Sequence, residues 1–214
     1  MKDSDKESYI ERYNERLERY GKDPKTLGWM KDRQEIRFEA LTAVGDLGGC
    51  SVLDVGCGFG DLLGFLQKRG IEVKYRGWDI NPDLVEIARD EYPGGSFDVV
   101  DISEYCGDID ADYVIASGVF NHEISDNTAF IRESLTTMAD IANRGVAADF
   151  LSTYVDYMVE DAYYADPKKI FDFCKNLSMR VSLRHDYLPY EFCLYVYSED
   201  SISENNSFAA YQPS

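Results

Sequence analysis

The sequence predicts a doubly wound α/β fold, a mostly parallel sheet whose last strand is reversed, behind an N-terminal helical extension. Three observations carry that prediction. From Ser51 onward, short apolar runs alternate with stretches of helical periodicity, as strand–helix–strand units require. The runs are close to continuous in apolar residues, which suits strands covered on both faces. The final two runs, "MRVSLRHDY" and "EFCLYVYSE", are separated by only "LPY", too short for a crossover, so they pair antiparallel.

The elements follow in order. Tyr9, Tyr13, Leu17 and Tyr20 recur at helical spacing between charged residues, and Gly21 stops the run. Ordinary packing explains this aromatic stripe; a lid whose tyrosines, Tyr13 among them, line a substrate pocket is the alternative. After the turn "KDPKTLGW", the segment "KDRQEIRFEALTAVGDLGG" puts Ile36, Ala40 and Val44 on one face of a second helix. Residues 1–49 are thus expected to form helices that cap a core domain at 50–198.

Within that domain "SVLDV" is the first strand, followed by a helix near Asp61 to Arg69, and "VKYRGWD" is the second strand, ending at Asp79. "NPDLVEIARDEY" is a helix, and "SFDVVDI" and "ADYVIAS" are strands joined by a short crossover around "SEYCGD". Ile131, Leu135, Met138 and Ala142 mark the next helix, and "RGVAADFL" is the fifth strand. Asp166 and Pro167 cap a helix whose apolar face is Ile170, Phe173, Cys174 and Leu177. The tail at 199–214, rich in Ser, Asn and acid, offers little to bury and is expected to be flexible.

Composition bounds the function. Lys and Arg number 22 against 40 Asp and Glu, a net charge of −18, so the long-range field repels nucleic acid and anionic lipid. No stretch approaches the roughly 18 to 20 apolar residues of a membrane span, and the charged N-terminus is unlike a signal peptide, which points to the cytoplasm. Five cysteines without a CxxC pair suit neither a disulfide framework nor structural zinc. Asp149 and Asp156 belong to no acid cluster of fixed spacing, so no metal is expected.

The stretch "VLDVGCGFGDLL" sets Gly56, Gly58 and Gly60 directly after the first strand, where open α/β sheets bind ligands. Without Cβ atoms this turn approaches a ligand closely. A dinucleotide fingerprint fails in both registers, because Asp61 and Leu63 fall where its third small residue belongs, and Asp61 would repel a pyrophosphate. Asp54, costly to bury alone, is expected to orient the glycine loop or to hydrogen-bond a cationic ligand.

With the acid of "LDVGCGFG" and its GxGxG loop, the sequence resembles the class I S-adenosylmethionine-dependent methyltransferases. The resemblance implies their Rossmann-like, seven-stranded sheet with an antiparallel last strand, and S-adenosylmethionine as cofactor, leaving as S-adenosylhomocysteine. It assigns cofactor contacts to Asp54, Gly56, Cys57 and Gly58. In "GWDIN" it gives Asp79 the ribose hydroxyls and sets Ile80 beside the adenine; in "VVDI" it gives Asp101 and Ile102 the adenine. Ser117 and Gly118 of "SGVFNH" would reach the amino acid end, and Arg37 is open to the cofactor carboxylate or to an ordinary salt bridge.

Methyl transfer to a hydroxyl or a protonated amine benefits from a base near neutral pH. The chain has two histidines, His122 and His185, both expected at strand ends on the ligand side. Phe120, Asn121 and Tyr164 join Tyr13 as expected substrate contacts. The leading expectation is therefore a small-molecule O- or N-methyltransferase, with self-association as a homodimer left open. A nicotinamide-dependent reductase, a non-catalytic S-adenosylmethionine-binding protein and a protein methyltransferase are the alternatives.

Overall fold

The computed structural model describes residues 1–28 and 31–198, so the expected flexible tail lies outside the described residues. Helices α1 (Asp3–Tyr20) and α2 (Lys31–Thr42) precede β1 (Ser51–Val55), α3 (Asp61–Lys68), β2 (Lys74–Asp79), α4 (Pro82–Glu91) and β3 (Ser96–Val99). A single 3-10 turn at Ile102–Glu104 then leads to β4 (Ala111–Ala116), α5 (Asn127–Ile141), β5 (Ala142–Leu151) and α6 (Pro167–Leu177). The chain ends with β6 (Arg180–Leu188) and β7 (Glu191–Tyr197).

The strands form one seven-stranded sheet in the order β3-β2-β1-β4-β5-β7-β6. Pairings from β3 through β5 are parallel, and β7 runs antiparallel to both β5 and β6. The short β6–β7 connection enforces that reversal, as its length predicted. Neighbouring strand residues feed opposite cores: Val52 and Ile115 pack with Leu41, Leu66 and Val85 of α2, α3 and α4. Leu53 and Val114 pack with Ile131 and Met138 of α5 and Ile170 of α6. This two-sided coverage is why the strands read as apolar runs.

Ala40 and Val44 are buried as expected, but Ile36 is exposed, and α2 also buries Phe38 and Leu41 together with the charged Arg37. The helix therefore turns a polar group inward, which an apolar periodicity cannot register.

Candidate active site

The strand order reverses between β1 and β4, so their carboxyl ends diverge and leave a crevice. The glycine loop borders it. Gly56 and Cys57 donate their N–H groups to the Trp78 carbonyl at 2.7 and 3.0 Å, folding the loop back over the end of β2. Gly56 has φ +71, and a Cβ there would stand 2.4 Å from Val119 Cγ2, so no side chain fits.

Asp79 ends β2 with its carboxylate facing the pocket. It accepts the N–H of Gly58 and of Asn81, each at 2.9 Å, so the acid also fixes the glycine loop. Burial pushes its carboxyl up, and these backbone donors pull it back. The Asn81 side chain caps α4 by accepting from Asp83 and Leu84.

Asp101 caps the 3-10 turn, accepting from the N–H and hydroxyl of Ser103, and Ile102 beside it is buried. Ile80, Ile102, Ser117 and Gly118 border the same pocket as Gly56, Gly58, Asp79 and Asp101.

Helix α1 lies across this pocket. Tyr9 and Tyr13 line it, with ring centroids 4.7 Å apart and the Tyr9 hydroxyl donating to that of Tyr13 at 3.4 Å. Burial pushes both phenols up, so they stay protonated at neutral pH. Lys6 of α1 bonds Asp101 at 2.9 Å, Asp5 accepts from Ser125, and Asn14 accepts from Asn81. The helix is thereby tied to the loops after β2, β3 and β4. Tyr20, at the end of the same stripe, stays exposed.

His122 also lines the pocket, its ring edge-on to Tyr9 at 5.5 Å and its Nδ1 3.0 Å from the Asp161 carbonyl. Burial, and then Arg12, lower its affinity for a proton below the ordinary imidazole level.

Several expected site residues stand elsewhere. His185 belongs to β6, the edge strand, with β7 and β5 between it and β4; its Nε2 meets the Ser152 hydroxyl at 2.8 Å. Phe120 turns into the core, stacked on Phe150 at 5.1 Å, in a column that continues through Phe192 to His185. Asn121 accepts the Leu151 N–H at 2.9 Å and so ties β5 to its own loop. Tyr164 accepts the Val159 N–H at 3.0 Å, pinning its own segment. None of the four borders the pocket.

Three expected cofactor contacts, Asp54, Cys57 and Arg37, do not border the pocket. The Cys57 side chain packs against Gly77, and Asp54 accepts the Tyr75 hydroxyl inside the sheet. Arg37 is salt-bridged, and in the interior: it binds Glu191 through two nitrogens and stands 3.9 Å from Asp149. Asp149 in turn accepts the Gly118 N–H at 2.6 Å and the Ser117 hydroxyl at 3.2 Å. Asp156, the other acid considered for a metal, accepts from Tyr190 at 3.0 Å.

The pocket also takes Met1, Leu27, Val119, Ile124 and Phe130. Of these apolar residues Val119 lies within the "SGVFNH" run, and Met1, Ile124 and Phe130 carry no motif.

The family described as "Methyltransferase domain" matches residues 52–145. The chain is 37% identical over 154 residues to Rv1506c of Mycobacterium tuberculosis (strain ATCC 25618 / H37Rv), a protein with a provisional methyltransferase name, covering 68% of this chain and 92% of the relative. Over 69 residues, 32% of this chain and 27% of the relative, it is 33% identical to the trans-aconitate 2-methyltransferase of Rhodopseudomonas palustris (strain BisA53). The magnesium protoporphyrin IX methyltransferase ChlM of Synechocystis PCC 6803, solved with bound SAH, has the same fold: TM-score 0.66 at 20% identity, covering 91% of this chain and 100% of that one.

Proposed function

The chain belongs to the class I S-adenosylmethionine-dependent methyltransferases, and from that premise we propose that it methylates an O or N atom of a small molecule, with His122 as the base. The family removes the nicotinamide reductase from the alternatives. The residues of the pocket fit S-adenosylmethionine. Gly56 leaves the turn without a side chain, and the two lining carboxylates, Asp79 and Asp101, suit the hydrogen-bond donors of a ribose and an adenine amine. In this reading Asp79 holds the ribose hydroxyls, Ile80 and Ile102 flank the adenine, and Ser117 and Gly118 meet the amino acid end.

S-adenosylmethionine supplies a methyl group on a good leaving group, so the protein contributes orientation and proton removal. The observation that carries the proposal is His122 on the same pocket as Gly56 and Asp79, bordered by the Tyr9 and Tyr13 rings. A neutral imidazole takes a proton from a hydroxyl or ammonium acceptor there. No helix among the described residues is long and apolar enough to cross a membrane.

Calorimetry with S-adenosylmethionine tests the cofactor site, and absence of binding would overturn it. Methyl release from labelled cofactor across hydroxylated and amino metabolites, with a basic peptide alongside, tests the acceptor. Methylation of the peptide alone would replace the small-molecule reading with a protein methyltransferase, and binding without any transfer would leave a non-catalytic protein.

A further inference from the structure

We propose that Asp161 is a positioning residue whose left-handed backbone presents its carbonyl to His122 and makes Nε2 the proton-accepting nitrogen of that ring. The inference rests on the reading of His122 as the base. Among the described residues Asp161 is the one non-glycine residue with positive φ, at +63. Asp tolerates this region better than most side chains, whereas a β-branched residue is expelled from it.

The consequence of that conformation is specific. The Asp161 carbonyl stands 3.0 Å from His122 Nδ1 and also accepts the Glu123 N–H at 3.2 Å. A carbonyl only accepts, so Nδ1 must carry the hydrogen, and in the neutral ring the lone pair belongs to Nε2. Two further contacts hold the segments in register: an antiparallel bridge between His122 and Ala162, and the Tyr163 N–H donating to the Asn121 carbonyl at 3.1 Å. Such over-determination is what allows a strained residue to persist.

The Asp161 carboxylate is a weaker candidate for the role. It is exposed, and its contact with Arg12 is 3.8 Å, so its removal costs little. Around the ring stand Tyr9 and Arg12 from α1, Glu123 beside it in the chain, and Asp161 itself. None of these side chains reports a bond to Nδ1, which leaves the backbone carbonyl as the group that selects the tautomer.

The test is nitrogen-15 NMR of the full-length protein, read at the His122 ring. The wild type shows the Nδ1–H tautomer; Asp161→Val mixes the tautomers and lowers kcat about ten-fold, part of the 10²–10⁴ that a positioned base supplies. Asp161→Asn, which still accepts the left-handed backbone, restores both. An Nε2–H tautomer in the wild type overturns the proposal without any variant, and so does Asp161→Val with Nδ1–H intact. A changed tautomer with undiminished methyl transfer would instead uphold the positioning role and sink His122 as base.

Discussion

Asp149 accepts the backbone N–H of Gly118 at 2.6 Å. The bond joins a buried ion network to the rim of the pocket, because Asp149 also lies 3.9 Å from Arg37, which Glu191 holds through two nitrogens. Burial pushes the Asp149 carboxyl up to about 6 despite the arginine. Asp149→Ala strands the Gly118 donor while Arg37 keeps its bonds to Glu191, a loss of about 1–3 kcal/mol for the unsatisfied buried group. Denaturant titration measures it, and calorimetry should show weaker S-adenosylmethionine binding from the released loop.

Asp54 gives the fold a pH dependence. Its buried carboxyl, bonded to the Tyr75 hydroxyl, is pushed up to about 7, burial being the larger effect and the tyrosine opposing it. An unfolded aspartate titrates near about 3.9, so the folded state holds the proton more tightly. That contribution to stability is fully present below about pH 3.9 and is lost as pH rises through about 7. Asp54→Asn removes it. The variant should therefore gain on the wild type between about pH 4 and about pH 7 in denaturant titrations, and the difference should level off above that. A constant difference across that range would contradict the assignment.

Gly56→Ala is disfavoured for two independent reasons. The backbone at φ +71 costs an L residue about 1–2 kcal/mol. The new Cβ also meets Val119 Cγ2 at 2.4 Å. Combining it with Val119→Ala relieves only the second. Thermal melts should show the double variant more stable than Gly56→Ala alone yet below Val119→Ala, and calorimetry should show cofactor affinity following the same order.

The sheet and the glycine loop were legible because their signals are local. Gly56, Gly58 and Asp79 sit at strand ends where chain position fixes what a residue can face, and a left-handed bend admits little but glycine. Arg37 was not legible, since its partner Glu191 is 154 residues away. Phe120 followed the right strand but its ring stacks on Phe150 and tilts against Phe130, a choice made by distant side chains. His185 alternates correctly along β6, but the order β5-β7-β6 moves that strand to the sheet edge, which no local pattern encodes.

His122→Gln should lower kcat by about 10²–10⁴ while S-adenosylmethionine still binds, because the proposed base touches the acceptor side. Burial, and then Arg12, depress the imidazole below the ordinary 6.5, so the neutral, active form dominates at neutral pH. The pH–rate profile should rise at a pKa below 6.5 and then level off. Arg12→Ala removes a positive charge beside the ring, so the rising limb should move to higher pH; a limb that stays in place would detach Arg12 from the base.

The ties of α1 make a prediction about cofactor release. Lys6 bonds Asp101 at 2.9 Å and Glu104 at 2.6 Å, from the helix whose Tyr9 and Tyr13 cover the pocket. If α1 acts as a lid, S-adenosylmethionine leaves only after these contacts open. Ion pairs near the surface contribute about 0.2–1 kcal/mol, so Lys6→Ala should speed release by about 1.4- to five-fold in stopped-flow measurements. Salt should accelerate release from the wild type more than from the variant, since it screens the same contact. Equal release rates at every ionic strength would mean that α1 is packed on the domain without gating it.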